Sequence, residues 1–173
     1  MKKSNLFRKG AGFSLIELVV AVFVFSILIV LAGGSFVGAL TMQKRALNIK
    51  KVEENGRFIL ELMAREIRVA NPINTGDSAC PGPSILSFQH PVNGAIQYFL
   101  SGGGVYRRVN GVDAAISNPD TIVSRLNFCV SGPANGDGKQ PRVTIILGLT
   151  SGGALQSDAL DLQTTVSQRV LND

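Results

Sequence analysis

The chain predicts an α+β fold in which a long N-terminal helical spine, transmembrane in its first half and amphipathic in its second, packs on an antiparallel β-sheet. Three observations predict it. All 26 residues from Leu18 to Gln43 are uncharged, more than the ~20 that a helix rising about 1.5 Å per residue needs to cross a bilayer. Apolar residues then recur at three- and four-residue steps as far as Ala70. From Pro72 onward glycine, proline and asparagine punctuate short apolar runs, the pattern of strands and turns.

The first element, residues 1–12, is a basic leader carrying Lys2, Lys3, Arg8 and Lys9. The chain has 17 Lys+Arg against 12 Asp+Glu, and without these four cations the balance is 13 against 12. The excess positive charge therefore reads as a topology signal, with the N-terminus held on the cytoplasmic side of the inner membrane and the rest facing the periplasm or exterior. Nucleic acid is a disfavoured but open partner. Residues 13–40 form the transmembrane segment. An ordinary secretory signal offers an alternative, with Val30-Leu31-Ala32 as its cleavage site, yet its apolar core would be ~7 to 15 residues long. The run here is longer and includes Glu17. A plain single-pass anchor fits the length but leaves Glu17 unexplained, because a carboxylate near the start of a spanning helix must be hydrated or paired. Glu17 lies about 6 Å along the helix from Phe13, within reach of lipid headgroups. A cut after Gly12 would give Phe13 a free amine able to meet Glu17 of a neighbouring copy inside an apolar bundle. Gly33, Gly34 and Gly38 are weak helix formers, each costing ~1 kcal/mol relative to alanine. A bilayer tolerates them and they permit close helix approach, so a kink or melting at Gly33-Gly34 on assembly is an expectation from glycine content alone.

Residues 41–71 form the amphipathic half of the spine. Ile49, Val52, Gly56, Ile59, Met63, Ile67 and Ala70 mark one apolar stripe. Opposite it, Glu53 with Arg57, Arg57 with Glu61, and Glu61 with Arg65 are i,i+4 pairs of opposite charge, each worth only ~0.2–0.5 kcal/mol. Packing of the stripe must hold this half. Asn71-Pro72 ends it, since a residue before proline is pushed out of α geometry. Unbroken from Phe13 to Asn71, the spine would span about 88 Å at ~1.5 Å per residue.

Residues 72–173 read as a β-rich region. The candidate strands are 84–90, 95–100, 105–109, 123–130, 142–150 and 159–168. Asn93-Gly94 gives a tight-hairpin signal between the first two, and Ser101 to Gly104 links the next two. Leu126, Phe128 and Val130 alternate with polar neighbours, so one sheet face should pack on the amphipathic half of the helix. The chain has two cysteines, Cys80 and Cys129. A compartment outside the cytoplasm permits a bridge between them, closing a loop of about 50 residues for roughly 4 kcal/mol on the loop-entropy model. Two unpaired buried thiols are the other reading.

The run Gly12, Phe13, Ser14, Leu15, Ile16, Glu17 resembles the processing motif of the type IV pilin and pseudopilin superfamily, with every position filled. The resemblance implies cleavage between Gly12 and Phe13 by prepilin peptidase, N-methylation of Phe13, and filament assembly through Phe13 and Glu17. Many pilins carry a helix-breaking proline in this stretch, and this chain has none. Glu54-Asn-Gly-Arg-Phe-Ile-Leu-Glu-Leu-Met-Ala-Arg-Glu-Ile-Arg-Val-Ala70 and the ending Leu162-Gln-Thr-Thr-Val-Ser-Gln-Arg169 resemble the group of PilW-type minor pilins and PulJ-type minor pseudopilins. That implies a low-copy subunit that helps to initiate or cap a type IV pilus or a type II secretion pseudopilus. Other minor and major pilins, the inner-membrane assembly platform and the lipid bilayer would be its partners. A filament-borne adhesion or DNA-uptake subunit using loops 131–141 or 110–121, or a major filament subunit, is the alternative.

Other apparent motifs carry little. His90, the one histidine, precedes Pro91 at a strand end and has no nucleophile elbow. Gly102 to Gly104 lack the Lys-Ser/Thr of a phosphate loop and suit a hairpin. Asn135-Gly-Asp-Gly138 lacks the ligand alternation of a calcium loop, and Arg107-Arg108 beside Tyr106 reads as a solvated strand face. No catalytic residue, metal-ligand set or cofactor site is expected, and the protein is expected not to be an enzyme.

Overall fold

The computed structural model of the chain describes residues 12–71, 73, 78–132, 140–151 and 159–169. A single helix, α1 (Leu15–Val69), is followed by seven strands: β1 (Ile85–His90), β2 (Gly94–Ser101), β3 (Gly104–Val109), β4 (Val112–Ala115), β5 (Thr121–Ser131), β6 (Arg142–Ser151) and β7 (Ala159–Ser167). The chain divides after Arg45 into two compact units. In the first, every described residue is exposed, and α1 runs through Gly33-Gly34 without interruption.

The second unit contains the core. Residues 46–69 of α1 bury Val52, Gly56, Ile59, Met63, Glu66 and Ile67, the expected stripe with one charged residue added. Ile49, at the start of that stripe, remains 37% exposed. Glu53–Arg57 and Glu61–Arg65 form at 2.6 and 3.0 Å, and Lys50–Glu54 adds a third pair at 3.7 Å. The strands make two antiparallel sheets, β1-β2-β3-β4 and β5-β6-β7, where a single sheet was expected. Away from β6, the backbone of β5 bonds an irregular segment, Ser78 N donating to Val130 O and Phe128 N to Pro83 O, and the β2–β3 hairpin, Val123 N donating to Gly103 O. Between the two bonds to the irregular segment a disulfide joins Cys80 to Cys129, with Cα atoms 5.4 Å apart. Gly82 lies against the Phe128 carbonyl so closely that a Cβ would collide with it.

β4 lies inside a stretch expected to be a loop. Asn110 and Gly111 both take positive φ, 49° and 89°, as a two-residue type I′ turn requires. Gly102 and Gly103 do the same between β2 and β3, at 56° and 76°. Facing the helix, Leu126, Phe128 and Val130 of β5 join Val143, Ile145, Leu147 and Leu149 of β6 and Val166 of β7 in the core, with Leu86, Phe88, Ile96, Tyr98 and Val105 from the other sheet. Gly56 allows the close approach of α1 to the second sheet, because a Cβ there would strike the side chains of Leu149 and Leu162.

Polar groups fix the helix at two further points. Glu66 accepts bonds from Arg107 Nε and Nη2, at 3.0 and 2.6 Å, and from the Tyr98 hydroxyl. Arg107 is therefore not the solvated strand residue expected from its sequence setting; only 21% of its side-chain surface is exposed, against 11% for Glu66. Burial and the neighbouring carboxylate push the Tyr98 hydroxyl well above the usual phenol range. The hydrogen bond to Glu66 raises the Arg107 guanidinium further above its ordinary value. Arg108, by contrast, lies on the outer face, paired with Asp113 and 4.9 Å from the Phe99 ring centre.

At the C-terminal end of α1, the buried Gln168 takes up groups that a helix end leaves unpaired. Its Oε1 accepts from Ile73 N at 2.9 Å, while Nε2 donates to the carbonyls of Ile67 and Asn71 at 3.3 and 3.1 Å. Arg169 N donates to Arg68 O at 3.0 Å, and the helix stops at Val69, two residues before the expected end.

Candidate functional site

The first turn of α1 is built around Ser14. Its Oγ accepts from Glu17 N at 3.2 Å and its carbonyl accepts from Leu18 N at 3.2 Å, so Ser14 is the N-cap and Glu17 the third helical residue. Ser14-Leu15-Ile16-Glu17 thus has the spacing of a capping box, in which the glutamate is placed to answer the N-cap amide. An acidic residue in this turn also complements the positive end of the helix. The cap starts the helix at Leu15, two residues later than expected. Gly12 and Phe13 lie outside it, in exposed non-helical backbone. The peptide bond between them is consequently free of helical hydrogen bonding. Residues 1–11, where the leader was expected, lie outside the described residues.

Beyond this turn the first unit presents apolar side chains on every side. Leu15, Ile16, Phe23, Phe25, Val30, Leu31, Phe36 and Val37 are each more than three-fifths exposed. Water is a poor solvent for such a surface, and a bilayer or a bundle of like helices would cover it. Ser26, Ser35 and Thr41 donate their hydroxyls to the carbonyls of Val22, Leu31 and Val37, four residues earlier, at 2.8 to 3.1 Å. Each polar side chain is thereby satisfied within its own helix, as lipid demands. Among the described residues α1 is the one helix long and apolar enough to cross a membrane, with a mean hydropathy of 3.0 in its most apolar window.

The family comparison bears on this same segment. Residues 7–33 match the prokaryotic N-terminal methylation motif. The match supports the resemblance to the type IV pilin and pseudopilin superfamily, and it covers the N-terminal part of the chain only. A pilin-type subunit that is processed by prepilin peptidase, anchored in the inner membrane and assembled with other pilins accords with it. No curated protein and no solved structure matches the chain.

The remaining candidates fall into structural places. His90 accepts from Val92 N and Asn93 N, both at 3.1 Å, and so pins the β1–β2 turn through Nδ1. Gly102-Gly103 form the β2–β3 hairpin. Loop 110–121 contains β4 and an Asx turn in which Asn118 Oδ1 accepts from Asp120 N at 2.9 Å. Asn135 to Gly138, and most of loop 131–141, lie outside the described residues. Ser14, Glu66 and Gln168 were not singled out from sequence. Ser14-x-x-Glu17 was a readable cap signal, and Glu66 stands three residues after Met63, on the buried side of the helix.

Proposed function

We propose that the chain is a minor pilin- or pseudopilin-type filament subunit, akin to the PilW and PulJ group, that helps to initiate or cap assembly of a type IV pilus or type II secretion pseudopilus. The observation that carries this is a methylation-motif segment whose scissile pair, Gly12-Phe13, immediately precedes a capped helix that is apolar and exposed on all sides. Prepilin peptidase would remove residues 1–12, and Phe13 would then be N-methylated. The processed helix is stored in the inner membrane with Glu17 near the headgroups and the second unit outside the cytoplasm. On extraction into a bundle, apolar packing replaces lipid, and the Phe13 amine of one subunit meets Glu17 of its neighbour. A carboxylate paired in that setting is far less costly than one left alone. The chain itself supplies no work for extraction; the assembly platform and its motor do so.

The test is mass spectrometry of sheared surface filaments from the native cell, reading both abundance and the N-terminal peptide. Trace protein beginning at methylated Phe13 is the expected result. Abundant protein with the same terminus would make this the major subunit. Absence from filaments, with a terminus near Gly33, would overturn the reading in favour of an ordinary signal peptide.

A further inference from the structure

Between Glu17 and Glu53 the chain has no acidic residue, and its charges there are Lys44, Arg45, Lys50 and Lys51. Lys44 and Arg45 follow directly on Gln43, where the uncharged run ends. All four side chains belong to α1 and are exposed. From Glu53 onward the helix carries acids among its cations, and Glu53–Arg57 and Glu61–Arg65 pair within it. The earlier lysines are less well answered. Lys50 approaches Glu54 only to 3.7 Å, with 70% of its side-chain surface exposed, and Lys44 and Lys51 have no ion-pair partner among the described residues. From Lys44 to Lys51 the helix rises about 10 Å, and at about 100° per residue the four cations stand at roughly 0°, 100°, 240° and 340° around it. The buried stripe of the second half lies on one side of α1; these cations encircle it. A partner helix or sheet would meet one side of such a ring, whereas a headgroup layer surrounds a spanning helix and meets all of it.

We propose that Lys44, Arg45, Lys50 and Lys51 form a ring that binds the phosphates of anionic phospholipids, in the leaflet on the second unit's side of the bilayer. The proposal rests on the reading of residues 13–40 as a membrane-spanning segment. The polar layer begins where the uncharged run ends, and clusters of basic residues beside a spanning helix attract anionic lipid. Lysine and arginine suit the position because their apolar stems lie along the hydrocarbon boundary while their cations reach the phosphates. Drawing the helix deeper would carry these cations into hydrocarbon, where they are costly. The ring therefore gathers anionic lipid around the stored subunit and limits the depth of its spanning segment.

The test is spin-label resonance of the full-length protein in phosphatidylcholine vesicles, comparing how much spin-labelled phosphatidylglycerol and how much spin-labelled phosphatidylcholine the protein immobilises. The expected result is a several-fold preference for phosphatidylglycerol, most of it lost in the combined variant Lys44→Gln, Arg45→Gln, Lys50→Gln and Lys51→Gln. Lys44→Gln with Arg45→Gln alone should give an intermediate value. The leader cations Lys2, Lys3, Arg8 and Lys9 are common to every variant and cancel in the comparison. Sodium chloride at 1 M, where the screening length is about 3 Å, should also reduce the preference. Arg57→Gln with Arg65→Gln, which removes two cations farther along the same helix, should leave it unchanged. Equal immobilisation of the two lipids by the wild type, or a preference that survives in the fourfold variant, would overturn the ring. So would an equal fall in the Arg57 and Arg65 variant, which would assign the effect to total charge. Failure of the wild type to float with the vesicles would instead overturn the membrane-spanning reading itself.

Discussion

Replacing Glu66 with alanine tests whether α1 is held on its sheet by charge as well as by apolar packing. The substitution leaves the Arg107 guanidinium, with 21% of its side-chain surface exposed, without its carboxylate, and removes the acceptor of the fully buried Tyr98 hydroxyl. Breaking one side of a buried pair costs about 3–5 kcal/mol. Partial exposure of Arg107 favours the lower end, so the expected loss is about 3 kcal/mol, or roughly 12 °C at about 4 °C per kcal/mol for a domain of this size. The assay is urea denaturation of the full-length protein in detergent, followed by far-ultraviolet circular dichroism. Two companions sharpen it. Glu66→Ala with Arg107→Ala should lose less than the sum of the single changes, because neither charge is then stranded. Glu66→Leu with Tyr98→Phe and Arg107→Met should approach wild-type stability, since apolar replacement of a whole buried network is often neutral or stabilising. A loss under about 1 kcal/mol for Glu66→Ala, on the scale where surface pairs fall, would refute the reasoning and return this contact to the class of incidental ion pairs.

Further outcomes follow from other contacts. Gly82→Ala should destabilise by about 2–3 kcal/mol in the same assay, because the new methyl meets the Phe128 carbonyl, a backbone atom that cannot turn aside. In a Tyr106→Phe background, Tyr98 should show no phenolate absorbance near pH 10 until the domain unfolds. Its folded pKa is raised, so its stabilising contribution is complete below the unfolded value of about 10 and is lost as pH rises above it. Gln168→Leu should cost about 2 kcal/mol by leaving Ile73 N and the helix-end carbonyls unanswered, with faster amide exchange first at Ile73. Glu17→Ala should leave membrane insertion and leader cleavage intact while reducing incorporation into filaments, measured as the filament-to-membrane ratio; unchanged incorporation would remove Glu17 from the assembly mechanism.

Much of the fold was legible because its elements have strong periods. The uncharged run and the Val52–Ala70 stripe marked α1 in both halves, and short apolar runs between turn residues placed six of the seven strands within a few residues. β4 was missed although Asn110-Gly111 is a type I′ turn signal, since Val112 to Ala115 is too short to show alternation. The division into two sheets was not legible, and neither was the placing of the Ser78–Pro83 segment on the edge of β5, a pairing between residues about 50 apart with no local signature. The run from Gly12 to Glu17 could be read as a processing motif because such a motif is local in sequence, and the methylation-motif match over residues 7–33 covers it. Glu66 and Gln168 were not legible, because each meets partners in elements far along the chain, and a lone Glu on a charged helix looks the same whether it faces solvent or an arginine. Arg107 was misread for the same reason.

The junction at Gln168 bears on the order in which the protein can be completed. Its partners, Ile67, Asn71 and Ile73, are made about a hundred residues before it. The helix end therefore stays unfinished while about a hundred intervening residues are synthesised. Loop closure over such a span is slow compared with local helix formation. A chain that stalls or is clipped before Gln168 carries an open helix end with bare amide and carbonyl groups, so the spine closes only once the segment after β7 is in place.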